Sequence, residues 1–119
     1  MKTKLISLLM LIILSCVSLI AQDNKQEVFP EPVGGMQAII KNLVYPKSAK
    51  DAGIQGKVFI KALVDENGNV AKTEVIKSLN PECDAAAISA IKKTKFTGGM
   101  IMGKPTQTEI VIPIYFRLQ

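Results

Sequence analysis

The sequence predicts an α+β domain, a three-stranded antiparallel sheet in the order 2-1-3 with helices packed on one face. Three observations carry that prediction. Asp65-Glu66-Asn67-Gly68-Asn69 separates two apolar runs, and Asn-Gly in that setting is a strong short-range hairpin signal. Asn80-Pro81-Glu82 opens a helix with a capping side chain, a proline whose missing N–H would be unpaired there anyway, and an acid at the positive end of the dipole. The last apolar run contains Pro113, which places that strand on an edge of the sheet.

The first 21 residues stand apart from this domain. Lys2 and Lys4 precede an apolar run from Leu5 to Leu14 broken only by Ser7, and Ala21 offers a small residue before Gln22. This is the pattern of a secretory signal peptide over residues 1–21. Two other readings stay open. Leu5 to Ala21 carries no charge and approaches the roughly 20 residues of a spanning helix, so it could be a retained anchor. Leu14-Ser15-Cys16 also loosely fits a lipidation site. All three readings send the chain across the inner membrane, so the expected location is the periplasm, free or held by an N-terminal anchor or lipid.

Composition excludes most chemistry. The 119 residues include 15 Lys+Arg against 10 Asp+Glu, two Cys, and neither His nor Trp. Without imidazole there is no Ser-His-Asp or Cys-His nucleophile, no His-bearing zinc site and no His pH switch. The mature chain has room for one core and no second domain. Its mild basicity reads as solvated surface, and the compartment is wrong for nucleic acid, so no nucleic-acid partner is expected. With Cys16 in the leader, Cys83 stands alone and no intrachain disulfide framework can form. It reads as a small buried apolar residue, the alternatives being a reactive thiol or a bridge between chains. Asp65, Asn67 and Asn69 have the spacing of a calcium loop, but Ile76 stands where the distal Glu belongs. Gly98-Gly99 follows a helix instead of preceding one, so it is no phosphate loop. No catalytic residue, metal or cofactor is expected.

The elements follow in order. Residues 22–33, with Pro30 and Pro32, read as a short extended lead-in that acts as a tether. The domain spans residues 34–119. Gly34-Gly35 turn the chain into a helix whose Met36, Ile39, Ile40 and Leu43 share one face. Tyr45-Pro46 begins a second, short helix, with Ala49 and Ala52 inward and Gly53 as its stop. Lys57 to Val64 is the first strand and Val70 to Lys77 the return strand. The return strand puts Val70, Lys72, Glu74 and Ile76 on one side and Ala71, Thr73, Val75 and Lys77 on the other.

The third helix buries Cys83, Ala87, Ile88 and Ile91, gathers Lys92, Lys93 and Lys95 where the dipole favours cations, and ends at Gly98-Gly99. A turn through Gly103-Lys104-Pro105 leads to the last strand, Thr106 to Leu118. There Ile110, Ile112, Ile114 and Phe116 alternate with Val111, Pro113, Tyr115 and Arg117. The hairpin makes the first two strands neighbours. The helical crossover returns the third parallel to the second, and laying it beside the first makes every pairing antiparallel. If Pro113 faces outward from that edge, the backbone groups of Val111, Tyr115 and Arg117 do too, while Ile110, Ile112, Ile114 and Phe116 pair inward.

The runs EPVGGMQAIIKNLVYP, YPKSAKDAGIQGKVFIKALVDENGNV, CDAAAISAIKKTKF, GKP and IPIYFRLQ, in this order and spacing, resemble the C-terminal domain family of TonB over Val33 to Leu118. The resemblance implies a periplasmic domain that binds the TonB box of outer-membrane TonB-dependent transporters by edge-strand addition, supporting transmembrane transport of nutrients. It makes Thr108 to Arg117 the binding strand, with Thr108, Glu109, Val111, Pro113, Tyr115 and Arg117 as partner-binding residues.

Two departures from the family pattern alter what is expected. The chain has no histidine, and Gln22 to Val44 reaches at most about 80 Å, far short of a long proline-rich spacer. The expectation is therefore a stand-alone transporter-binding domain not driven by its own membrane helix. Other readings of the same surface compete. Lys92, Lys93, Lys95, Lys104 and Arg117 could form a basic patch for peptidoglycan or lipid phosphates in a cell-wall or envelope adaptor with no part in transport. The open edge could merely resist aggregation, or accept a second copy as a homodimer.

Overall fold

The structure is a computed structural model that describes residues 26–119. The leader over residues 1–21, with Cys16, and residues 22–25 of the lead-in lie outside the described residues. In chain order the elements are β1 (Glu27–Val28), α1 (Met36–Asn42), α2 (Lys47–Asp51), β2 (Gly56–Val64), β3 (Val70–Lys77), α3 (Pro81–Lys93), β4 (Gly99–Ile101), β5 (Lys104–Thr106) and β6 (Thr108–Phe116). No helix among the described residues is long and apolar enough to cross a membrane.

The main sheet runs β3-β2-β6, all antiparallel, which is the expected 2-1-3 order. Strict alternation in β2 sends Val58, Ile60, Ala62 and Val64 to one face, where all four are fully buried. Ile112, Ile114 and Phe116 of β6 join them from the neighbouring strand. Ile39 of α1, Ala49 of α2 and Cys83, Ala87, Ala90 and Ile91 of α3 cover this face and complete one core. Asn80 caps α3 as expected, its Oδ1 accepting from Cys83 N at 2.7 Å.

The structure differs from the sequence expectation at five places. First, β3 does not alternate simply. Its register against β2 slips between Leu63 and Val64 and between Phe59 and Ile60, leaving Ala71 and Ile76 as extra residues. Val70 therefore shares the core side with Thr73 and Val75. Second, Pro46 is the extended residue before α2 and not its first helical residue. Third, α3 ends at Thr94, whose Oγ1 donates to the Ala90 carbonyl at 2.8 Å, ahead of the two glycines. Gly98 and Gly99 are needed for close approach instead. A Cβ at Gly98 would stand 2.5 Å from the Glu66 carbonyl oxygen, and one at Gly99 2.3 Å from Thr108 Oγ1.

Fourth, a second small sheet, β1-β4-β5, exists where a turn was expected. The reversal lies at Met102 and Gly103, both with positive φ (53° and 75°), so Lys104-Pro105-Thr106 is already the return strand. Fifth, the described part of the lead-in, from Gln26 on, is stitched to the domain. Val33 N donates to the Lys95 carbonyl at 2.8 Å, Thr97 N donates to that of Glu31 at 2.8 Å, and Pro32 bridges Phe96.

The same short segment after α3 also clamps the hairpin loop. Phe96 N donates to the Gly68 carbonyl at 3.0 Å, and Lys95 Nζ donates to the Asn67 carbonyl at 2.8 Å and to Asn69 Oδ1 at 3.0 Å. Gly68 (φ 83°) lies so close that a Cβ there would stand 1.9 Å from the Phe96 carbonyl oxygen. Gly68→Ala should lower unfolding free energy by about 3 kcal/mol, combining left-handed strain with loss of this junction. A urea titration of the variant beside the parent measures it, and an unchanged midpoint would contradict the packing described.

Candidate functional site: an open sheet edge beside helix α1

Strand β6 has β2 on one side and no strand on the other among the described residues. Its register against β2 is unbroken from Thr108 opposite Val64 to Phe116 opposite Gly56, passing through Pro113 opposite Phe59. A proline fits such a ladder only where its missing N–H would have pointed away from the partner strand. Leu118 gives the complementary sign: its N–H points back toward β2 and donates to Gln55 Oε1 at 2.9 Å. Even-numbered residues thus turn their backbone groups toward β2, and Glu109, Val111, Tyr115 and Arg117 turn theirs away from it.

The six residues expected at the edge are not equivalent. Val111 and Tyr115 are open, 55% and 48% exposed, while Pro113 is half-buried. Glu109 reaches across to Lys61 of β2, Oε2 to Nζ at 3.5 Å, and Lys61 also approaches Glu74 of β3 at 3.9 Å. Thr108 is drawn inward, its Oγ1 donating to the Thr106 carbonyl at 3.1 Å and abutting Gly99 of the small sheet. At the other end Arg117, exposed, and Lys57 flank the Tyr115 ring, 5.6 and 5.4 Å from its centroid. These distances suit cation–π contact.

Helix α1 lies beside this edge and turns toward it the residues that the sequence places on one helical face. Of Met36, Ile39, Ile40 and Leu43, only Ile39 is buried, whereas Met36 and Ile40 are 42% and 53% exposed. A groove of about 450 Å³ opens between Ile40, Leu43 and Tyr45 on one wall and Tyr115 and Arg117 on the other. A smaller hollow of about 60 Å³ continues it past Met36 and Pro113. Tyr45 is held by its hydroxyl, which donates to the Ile54 carbonyl, and by an edge-on contact with Phe116, centroids 5.3 Å apart. The signal for this wall lay in the width of the α1 stripe, three large apolar residues on a seven-residue helix with Leu43 as its C-cap, more than one buried position requires.

The basic cluster is not one patch. The Lys95 ammonium is engaged by the hairpin loop at the Val64 end of β2, whereas Arg117 lies by Gly56 at the other end. A nine-residue strand separates those ends by roughly 27 Å. Lys95 also sits over the acceptors of the loop whose spacing suggested calcium, where Asp65 Oδ1 is taken up by the N–H groups of Asn67 and Asn69, each at 2.9 Å. No cluster of three potential metal ligands exists among the described residues. Cys83 is fully buried, which removes the reactive-thiol and interchain-bridge readings.

The family "Gram-negative bacterial TonB protein C-terminal" matches residues 41–118. The chain belongs to this family of TonB C-terminal domains. It is 39% identical over 75 residues to Protein TonB of Xanthomonas campestris pv. campestris, and 37% identical over 76 residues to Protein TonB of Vibrio cholerae serotype O1. Those alignments cover 62% and 63% of this chain but 34% and 31% of the relatives, so the chain spans about a third of their length. Two NMR solution structures of the Helicobacter pylori TonB C-terminal domain superpose with TM-scores of 0.54 and 0.52 at 27% and 28% identity. They cover 71% and 68% of this chain and 77% and 86% of those domains.

Burial, then the neighbouring Asp84 and Glu82 carboxylates, push the Cys83 thiol above its ordinary range. The folded state thus holds the thiol proton to higher pH than the unfolded chain does. Stability from this group is intact below the unfolded pKa and is lost as pH rises through the folded one, on the alkaline side of the ordinary thiol range. Iodoacetamide at pH 8 should leave Cys83 unmodified in the native protein and alkylate it in urea, as read by mass spectrometry; rapid native labelling would contradict its burial.

Proposed function

We propose that this domain binds an extended N-terminal segment of outer-membrane TonB-dependent transporters, the TonB box, by adding it as a fourth strand along β6, and so takes part in nutrient transport across the outer membrane. The observation that carries this reading is the regular, unpartnered β6 edge with backbone groups of Val111, Tyr115 and Arg117 directed outward. Main-chain pairing supplies affinity while tolerating a loose partner sequence. Membership of the TonB C-terminal family and the relatives named Protein TonB support the transport role. On this reading the domain works in the periplasm.

The opposite edge makes a poor template, since the bulges at Ala71 and Ile76 break the spacing an added strand would need. That asymmetry supports recruitment at β6 over simple edge protection, because a chain protecting both edges would bulge both. Val111→Pro removes an outward donor without touching the inner ladder. It should weaken TonB-box peptide binding about tenfold, equivalent to one hydrogen bond. Backbone amide shifts of residues 22–119 titrated with peptides from neighbouring transporter genes measure it. Equal affinity of Val111→Pro and the parent would remove strand addition as the mode of binding.

A further inference from the structure

We infer that the partner strand is apolar at every second position, its alternate side chains packing on Met36 and Ile40 of α1. The inference rests on the strand-addition reading of β6 and goes on to the side-chain chemistry of the partner. An added strand would lie about 4.8 Å beyond β6, and successive side chains would point to opposite faces of the sheet. Those on the helix face would stand beside Ile112, Ile114 and Phe116, which the core already covers. They would therefore meet the next surface out, the groove whose far wall is Ile40 and Leu43, continued by Met36.

Both halves of this site ask for the same occupant. The edge offers outward backbone groups that only an extended chain can pair in series. The groove offers apolar side chains left uncovered on a helix whose other exposed residues, Gln37 and Lys41, are polar. A globular surface would cover one and not the other. The remaining partner side chains would project on the opposite face beside Val111, which is open to water and so constrains them little. Selectivity thus concentrates on one phase of the partner strand, and Ile40 reads it.

The core lies wholly between Ile39 and Phe116, so the domain of residues 22–119 serves for the test. Two capped peptides with lysine tails are titrated by calorimetry, one alternating Val-Thr and the other Asn-Thr over eight residues. The parent should prefer the Val-Thr peptide by about tenfold or more, the yield of burying part of two or three branched side chains. Ile40→Lys, at a half-exposed position, should keep the native amide spectrum and erase that preference while leaving the Asn-Thr affinity unchanged. Ile40→Ser should act in the same direction.

Retention of the preference in both Ile40 variants, or equal affinity of the two peptides for the parent, overturns the inference. Val111→Pro separates the two proposals. If it weakens both peptides while the Ile40 variants change nothing, the edge reading stands and the groove reading falls. If Val111→Pro is silent, or neither peptide binds at millimolar concentration, both fall.

Discussion

The unbroken antiparallel register between β2 and β6 is the constraint on which the rest depends. It sets Val58, Ile60 and Ala62 opposite Ile114, Ile112 and Ile110, so two strands present one continuous apolar face to the helices. It also fixes backbone parity. Once Pro113 is accommodated opposite Phe59 with no bulge, every odd-numbered residue of β6 must turn its backbone polar groups away from β2. A slip of one residue would exchange core and solvent faces and bury the proline's missing donor in the ladder.

Around this pair the chain is locked by a junction no larger than Lys95-Phe96-Thr97. It accepts the lead-in on one side and the hairpin loop on the other, with Phe96 buried between them. The three glycines near it each serve close approach: Gly68 to Phe96, Gly98 to Glu66 and Gly99 to Thr108. Gly99 of β4 also brings the small sheet against Thr108 at the start of β6.

The two outer strands meet the edge problem differently. β3 carries two irregularities and the exposed, displaced Ile76, while β6 runs nine regular residues with α1 beside it. An open regular edge is an aggregation liability. Here the exposed Met36 and Ile40 of α1 flank that edge. The cations at Lys57 and Arg117 cluster around Tyr115, and the ion pairs of Lys61 occupy the middle of the sheet.

Local chemistry by itself determined the three principal strands, the Asn80 cap, the Asp65–Asn69 reversal and the edge position of β6, because each rests on residues within a few positions of one another. The proline parity argument belongs here too, since it needs only chain geometry and one covalent fact. Tertiary structure decided the rest. The strands β1, β4 and β5 are two or three residues long, carry Pro105 and show no alternation, so they exist only by pairing with distant partners. The phase slip at Ala71 likewise depends on how β3 fits β2, and Gly98-Gly99 looked like a helix stop until the Glu66 and Thr108 contacts explained them. Whether Met36 and Ile40 belonged to the core or to a groove could not be read from period, because a helical stripe reports which residues share a face and not how much of that face the neighbouring elements cover.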